Sequence, residues 1–259
     1  MLSYEKLMND IHKEINNLRT KPLEFAERME NTASSYRENN ARMRQGAVPV
    51  MTREGVSALI ETVQALKATK SMGPLTIVNG MSRAAQSHCN DTGPLGIVGH
   101  IGSKESTLQD RLESFGRWGD CIGETIDYGS ITGFESVCAL LIDDGLPSRP
   151  HRNIVLNPRF KKIGVGVGKH SQYTTMACCV FAGDFTEKDD MVDVMFPKGN
   201  IEKNSELKDW LEDAIKLTCE IRTEEEAGRT IKRIKKYWEM SDGTTQITEE
   251  ISNDLAGEE

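Results

Sequence analysis

The residues of this chain best suited to chemistry fall in three short segments: Gly99-His100-Ile101-Gly102, Gly123-Glu124-Thr125-Ile126 and Pro150-His151-Arg152-Asn153-Ile154. Each sets a polar side chain beside Gly or Pro, where regular structure breaks. Imidazole nitrogens and a carboxylate oxygen are suitable ligands for a zinc-like ion. His100, Glu124 and His151 lie 24 and 27 residues apart, so no helical face joins them and only the tertiary fold can. To share one ion, the two imidazoles have to lie within about 8 Å, since each ligand nitrogen sits about 2 Å from the metal. A hydrolytic use would make Glu124 the general base toward a water acidified by the ion. A structural use would make the histidines hydrogen-bonded braces of loops and Glu124 a carboxylate satisfied by nearby amides.

No Gly-x-Ser-x-Gly elbow, phosphate-binding loop or HExxH helix accompanies these residues, so no independent nucleophile signature supports an enzyme. Adjacent Cys178 and Cys179 fall in a strand-like run, which predicts opposite faces, one in the core and one at the surface, rather than a redox pair.

The elements that position these segments follow from periodicity. Leu2, Leu7, Ile11, Ile15 and Leu18 form one apolar helical face that stops before Pro22, and a short helix follows over 23–29. Residues 30–47 are polar and read as a loop or mobile helix. Further helices are predicted over 56–66, 81–90, 107–115 and 133–144, with a short strand at 122–128. Residues 162–168 and 173–182 alternate or run apolar around a polar turn at 169–172, which is a hairpin signal. Helices first and an antiparallel pair late predict an α+β fold, a sheet covered by helices, rather than regular βαβ units.

Charge divides the chain differently. Residues 1–187 hold 21 basic and 21 acidic side chains, whereas 188–259 hold 11 and 19, so the whole net charge of −8 lies in the last part. That balance disfavours nucleic acid as a partner and suggests a neutral body with an acidic extension. The extension is read as a linker over 188–204, helices over 205–240 and an acidic tail over 241–259. Within it, Arg229, Lys232, Arg233, Lys235 and Lys236 surround Ile231, Ile234 and Trp238. On a helix this is a basic amphipathic face suited to an acidic protein partner or a membrane surface, or to docking on its own domain. No run has the apolar length of a membrane span, the N-terminus lacks the pattern of a signal peptide, and six scattered cysteines form no CxxC pair. These features predict a cytoplasmic protein with reduced thiols.

The order of segments resembles the CAP superfamily, the SCP or pathogenesis-related-1-like domain. The resemblance runs through Asn17-Leu18-Arg19-Thr20-Lys21-Pro22, Ala84 to His88, Gly99-His100, Arg111, Gly123-Glu124-Thr125-Ile126, Pro150 to Pro158, Ile163 to Gly166 and the strand from Tyr173 to Phe185. It covers about residues 9–187. It implies a three-layer α-β-α sandwich, here with a C-terminal helical extension, whose cavity gathers two histidines and two acids, sometimes around a divalent metal. His100, Glu124 and His151 match three positions. The fourth is assigned to Asp143, eight residues before His151, with Asp144 or Glu135 as alternatives. The family's Gly-Glu-Asn is Gly-Glu-Thr here, and its aromatic-rich histidine motif is absent.

The resulting expectation is a non-enzymatic intracellular binding or scaffold module that requires no cofactor, with protein partners that extend to a cytoskeletal or ciliary assembly. A metal-dependent hydrolase using His100, Glu124 and His151 is the alternative, and carriage of a sterol or fatty acid, which rests on the resemblance, is another.

Overall fold

The apolar stripe of α1 (Tyr4–Thr20) buries Leu7, Ile11, Ile15 and Leu18. Ser3 caps its start by accepting from the Lys6 amide, and Pro22 opens α2 (Pro22–Glu30) directly after it. The computed structural model describes residues 3–38, 40–44, 47–188, 191–193, 214–226, 229–240 and 245–253. They belong to two units, Met1–Glu187 and Lys188–Glu259.

In the first unit a four-stranded sheet has the order β3 (Thr76–Ile77), β5 (Lys162–His170), β6 (Thr174–Glu187), β4 (Gly116–Tyr128). The β3–β5 pair is parallel and the others antiparallel. Strand alternation divides β6 between two cores: Ala177, Cys179 and Phe181 pack with α1, α2, α3 (Val56–Lys67) and α6 (Gly133–Ile142), while Met176, Cys178, Val180 and Ala182 pack with α4 (Asn79–Thr92) and α5 (Leu108–Phe115). This is an α-β-α sandwich. Cys178 and Cys179 do point to opposite faces, but both are buried, which corrects the expectation of a surface thiol: helices cover the sheet on both sides.

The run Ile163-Gly164-Val165-Gly166-Val167-Gly168 shows how one layer is set. Its β-branched residues fill the first core. Its glycines face α4 so closely that a Cβ at Gly164 would overlap the backbone of Met81, and one at Gly166 the backbone of Gln86. A Cβ at Gly168 would come within 3.1 Å of the Cys89 Cβ. The helix therefore lies directly on the strand backbone, with Ala84 and Ala85 as its own small contact residues.

Arg19 is 1% exposed and meets no carboxylate. Its guanidinium donates to the carbonyls of Gly73, Val155, Asn157 and Phe160 at 2.9–3.2 Å, tying α1 to the end of α7 (Pro150–Val155) and to the approach to β5. Burial pushes its pKa down.

Several elements differ from the expectations. Residues 30–47 contain a short 3-10 turn and β1 (Ala41–Arg44), which pairs with β2 (Ala47–Met51). The strand at 122–128 begins earlier, at Gly116, because a bulge at Asp120, with φ +66°, absorbs a register shift that interrupts the pattern.

In the second unit the described segments form an antiparallel sheet ordered β10 (Thr245–Asn253), β9 (Arg229–Met240), β8 (Ala214–Glu226), β7 (Met191–Asp193). The helices expected over 205–240 are corrected to strands β8 and β9, and the tail expected over 241–259 contains β10; residues 205–213 lie outside the described residues, as does most of the 188–204 linker. The reason is periodicity. Ile215, Leu217, Cys219 and Ile221 alternate with Lys216, Thr218, Glu220 and Arg222, a two-residue repeat that a helix cannot use.

Candidate functional site

Helix α6 is capped at its start by Thr132 and stops at Asp143, whose backbone is left-handed at φ +53°. From there the Asp143 carboxylate accepts the His151 backbone N–H at 2.8 Å with one oxygen and the His151 Nδ1–H at 2.7 Å with the other. Pro150 at the first position of α7 presets the turn that presents His151. Asp144 instead accepts the amides of Arg53 and Glu54, and Glu135 pairs with Arg44, so neither alternative to Asp143 reaches the histidines.

The connection between α6 and α7 is held from outside. Arg149, also left-handed at φ +48°, forks onto both oxygens of Glu54 at 2.6 and 2.7 Å and donates to the Asp143 carbonyl at 2.9 Å. These hydrogen bonds from Arg149, together with the Gly145 amide, hold the Glu54 carboxyl down at about 2. Arg152 binds both oxygens of Glu61, Thr62 Oγ1 and the Leu141 carbonyl. Nothing in the sequence spacing of Glu54, Glu61 and Arg149 marks them as partners.

Glu124 lies on β4, buried at the edge of the α4–α5 layer. One oxygen accepts His100 Nδ1–H at 2.8 Å; the other accepts Arg111 Nη2 at 2.6 Å and the Cys178 thiol at 3.2 Å. Burial pushes its carboxyl up, but the His100 hydrogen bond and the Arg111 charge outweigh burial and leave it below the usual range. Arg111 extends from α5, whose first turn is fixed by a reciprocal capping box between Thr107 and Asp110.

The fold thus brings all four residues together as two carboxylate–imidazole pairs, with the His100 and His151 ring centroids 6.2 Å apart. In each pair the carboxylate engages Nδ1, so Nε2 is the nitrogen the acid does not hold. The His100 side chain is 50% exposed and that of His151 20%, so solvent reaches both. Among the described residues no group of three or more His, Cys, Asp or Glu is arranged to hold a metal ion. With Glu124 and Asp143 each engaged at Nδ1, where an acid fixes an imidazole's tautomer, the nitrogens left to a divalent ion are the two Nε2 atoms.

The basic residues singled out for a partner, Arg229, Lys232, Arg233, Lys235, Lys236 and Trp238, fall on β9, between β8 and β10. The single basic helical face is corrected accordingly. Successive strand positions alternate between sheet faces, and Arg229, Arg233 and Lys235 have one parity while Lys232, Lys236 and Trp238 have the other.

An α-β-α sandwich with two histidines, each backed by an acid, one from the α4–α5 loop and one from the start of α7, defines a CAP-type domain. The chain belongs to the cysteine-rich secretory protein family, CAP, whose family model matches residues 12–181. Among solved structures it is similar to an extracellular SCP-domain protein of Bacillus anthracis strain Ames, at 22% identity and a TM-score of 0.36, over 49% of this chain and 37% of that one. It is also similar to an outer surface protein of Borrelia burgdorferi, at 20% identity and a TM-score of 0.35, over 43% of this chain and 78% of that one. The match thus spans little more than a third of the Bacillus protein's length. No curated protein matches the chain.

Proposed function

We propose that the chain is a non-enzymatic binding module, working inside the cell in a protein assembly, whose His100–His151 pair is the element that meets the ligand. The observation that carries this reading is the occupancy of Glu124. Both of its oxygens are committed, one to His100 and the other to Arg111 and Cys178, and its carboxyl is held below the usual range, which makes it a poor general base. The Nε2 atoms of His100 and His151 would hold a divalent ion, which when bound supplies a Lewis-acidic anchor for an oxygen or nitrogen donor. With two protein ligands the chain by itself offers an incomplete shell, which suits an ion completed by a partner. Cys89, Cys121, Cys138, Cys178 and Cys179 are free thiols, which supports the intracellular setting. No helix of the described residues is long and apolar enough to cross a membrane.

Titration with Co²⁺, followed by visible absorption and calorimetry, tests the site. Wild type should bind one ion weakly, and His100→Ala and His151→Ala should each abolish binding while the fold persists. Ester or peptide turnover that Glu124→Gln removes, and that metal restores to stripped wild type, would replace this reading with the hydrolase. Affinity capture from the native cell then asks whether the partners are cytoskeletal or ciliary.

One observation favours a second reading, an apolar ligand. Leu95, Val98 and Ile101, in the loop that carries His100, are each more than half exposed. A fatty acid probe displaced by Val98→Ser and Ile101→Ser, but untouched by His100→Ala, would support it.

A further inference from the structure

We propose that His88 is a positioning residue for His100, acting through the peptide groups of Gly99, with Tyr128 completing the grip. The inference deepens the reading above and rests on it for the ligand. The His100 imidazole is half exposed, so packing of its ring cannot by itself fix the Nδ1 contact with Glu124. The backbone supplies what the ring lacks.

His88, on α4, is fully buried and its Nε2 lies 2.9 Å from the Gly99 carbonyl oxygen. A carbonyl can only accept, so Nε2 carries the proton, and Nδ1 has no hydrogen-bond partner. Burial lowers the His88 pKa and keeps the ring in this neutral, single-donor form. From β4, the Tyr128 hydroxyl accepts the Gly99 N–H at 2.9 Å. Tyr128 is itself packed edge-on against buried His170, with centroids 5.1 Å apart. One residue further, Arg111 donates to the His100 carbonyl at 3.2 Å while its other terminal nitrogen holds Glu124.

Gly99 has φ +117° and open space where a Cβ would stand, so glycine is required there by the backbone conformation and not by crowding. Side chains from α4, β4 and α5 therefore pin successive peptide groups on either side of the His100 Cα. Two of these elements also place Glu124: β4 carries it and α5 holds it through Arg111. The imidazole and its carboxylate are located by one frame.

The test is the tautomer of His100, read by long-range ¹⁵N–¹H NMR in His88→Leu, His88→Gln and Tyr128→Phe, with Co²⁺ titrated into each. Wild type should show the Nδ1–H form. His88→Leu and Tyr128→Phe should give mixed tautomers and about tenfold weaker Co²⁺ binding. His88→Gln, whose amide can donate to Gly99, should restore both. A single unchanged His100 tautomer in folded His88→Leu or Tyr128→Phe would overturn the proposal. If His88→Leu does not fold, Tyr128→Phe decides, because it removes one hydroxyl. The tautomer is measured without metal, so mixed tautomers in the variants alongside no Co²⁺ binding by wild type uphold the positioning role and overturn the ligand, and unchanged tautomers with intact Co²⁺ binding do the reverse.

Discussion

Asp143 and Arg149, six residues apart, both adopt left-handed backbone conformations and are joined by a hydrogen bond of 2.9 Å from the Arg149 guanidinium to the Asp143 carbonyl. Neither is glycine, so each position carries strain that the surrounding contacts have to offset. The contacts are specific: Asp143 is held through His151, Arg149 through Glu54.

Removing the outer brace should therefore loosen the inner pair. Arg149→Met is expected to lower stability by about 2 kcal/mol, the range for charge-assisted hydrogen bonds at partly buried groups. It should also raise hydrogen exchange of the His151 amide, which Asp143 holds. An unchanged melting temperature with unchanged exchange at His151 would show that the brace carries no strain.

The carboxylates behind the imidazoles should tune metal binding without being ligands. Asp143→Asn and Glu124→Gln are each expected to weaken Co²⁺ binding by about 10- to 100-fold, the usual effect of losing a ligand's hydrogen-bond partner. Complete loss in either variant, equal to that of His151→Ala, would mean that the acid ligates directly.

Asp127 predicts an unusual pH dependence. Burial pushes its carboxyl up to about 6, against the nearby hydroxyls of Ser130 and Ser136 and the charges of Arg42 and Arg44 that pull it down. The folded state thus holds this proton more tightly than the unfolded chain, whose Asp titrates near 3.9. Its contribution is most favourable below that value and is lost as pH rises through about 6. Asp127→Asn should therefore stabilise the protein at pH 7.5 by about 1–3 kcal/mol relative to pH 4. Denaturant melts of both proteins across that range check it. Glu124 has the opposite sign: its lowered pKa gives stability that is present above the unfolded value and lost as pH falls through the folded one.

Gly166→Ala tests the layer packing. Its methyl would overlap the backbone of Gln86, and α4 has no flexible side chain there to give way. A loss of about 1–3 kcal/mol or more is expected from such overpacking. A melting temperature equal to wild type would show that α4 can lift freely.

Residues with their own local signature were the legible ones. His100, Glu124 and His151 stand beside Gly or Pro, and the alternating glycines of β5 announce a strand under close cover. Glu54 and Arg149 are 95 residues apart, and an arginine in the left-handed region leaves no trace in periodicity. In the second unit Ile231, Ile234 and Trp238, at three- and four-residue spacing, suit a helix as well as they suit a list of strand positions. The two-residue repeat of 215–221 is the stronger signal, and it governs the partner strand as well: β8 and β9 pair in register, with Ile221 opposite Ile234 and Leu217 opposite Trp238. Pairing is a property of two segments, and reading one at a time misses it.

The glycines of β5 have a consequence for anyone who would redesign the histidine pair. They set how low α4 rides on the sheet, and α4 carries His88, which reaches Gly99 and so the loop of His100. The aim of an imidazole is thereby calibrated by residues that have no side chains and touch no ligand. Gly168, where a Cβ would meet Cys89 at 3.1 Å rather than overlap backbone, is the mildest adjustment on that scale. Gly168→Ala offers a way to detune the site by a fraction of an ångström while every residue that faces solvent there stays the same.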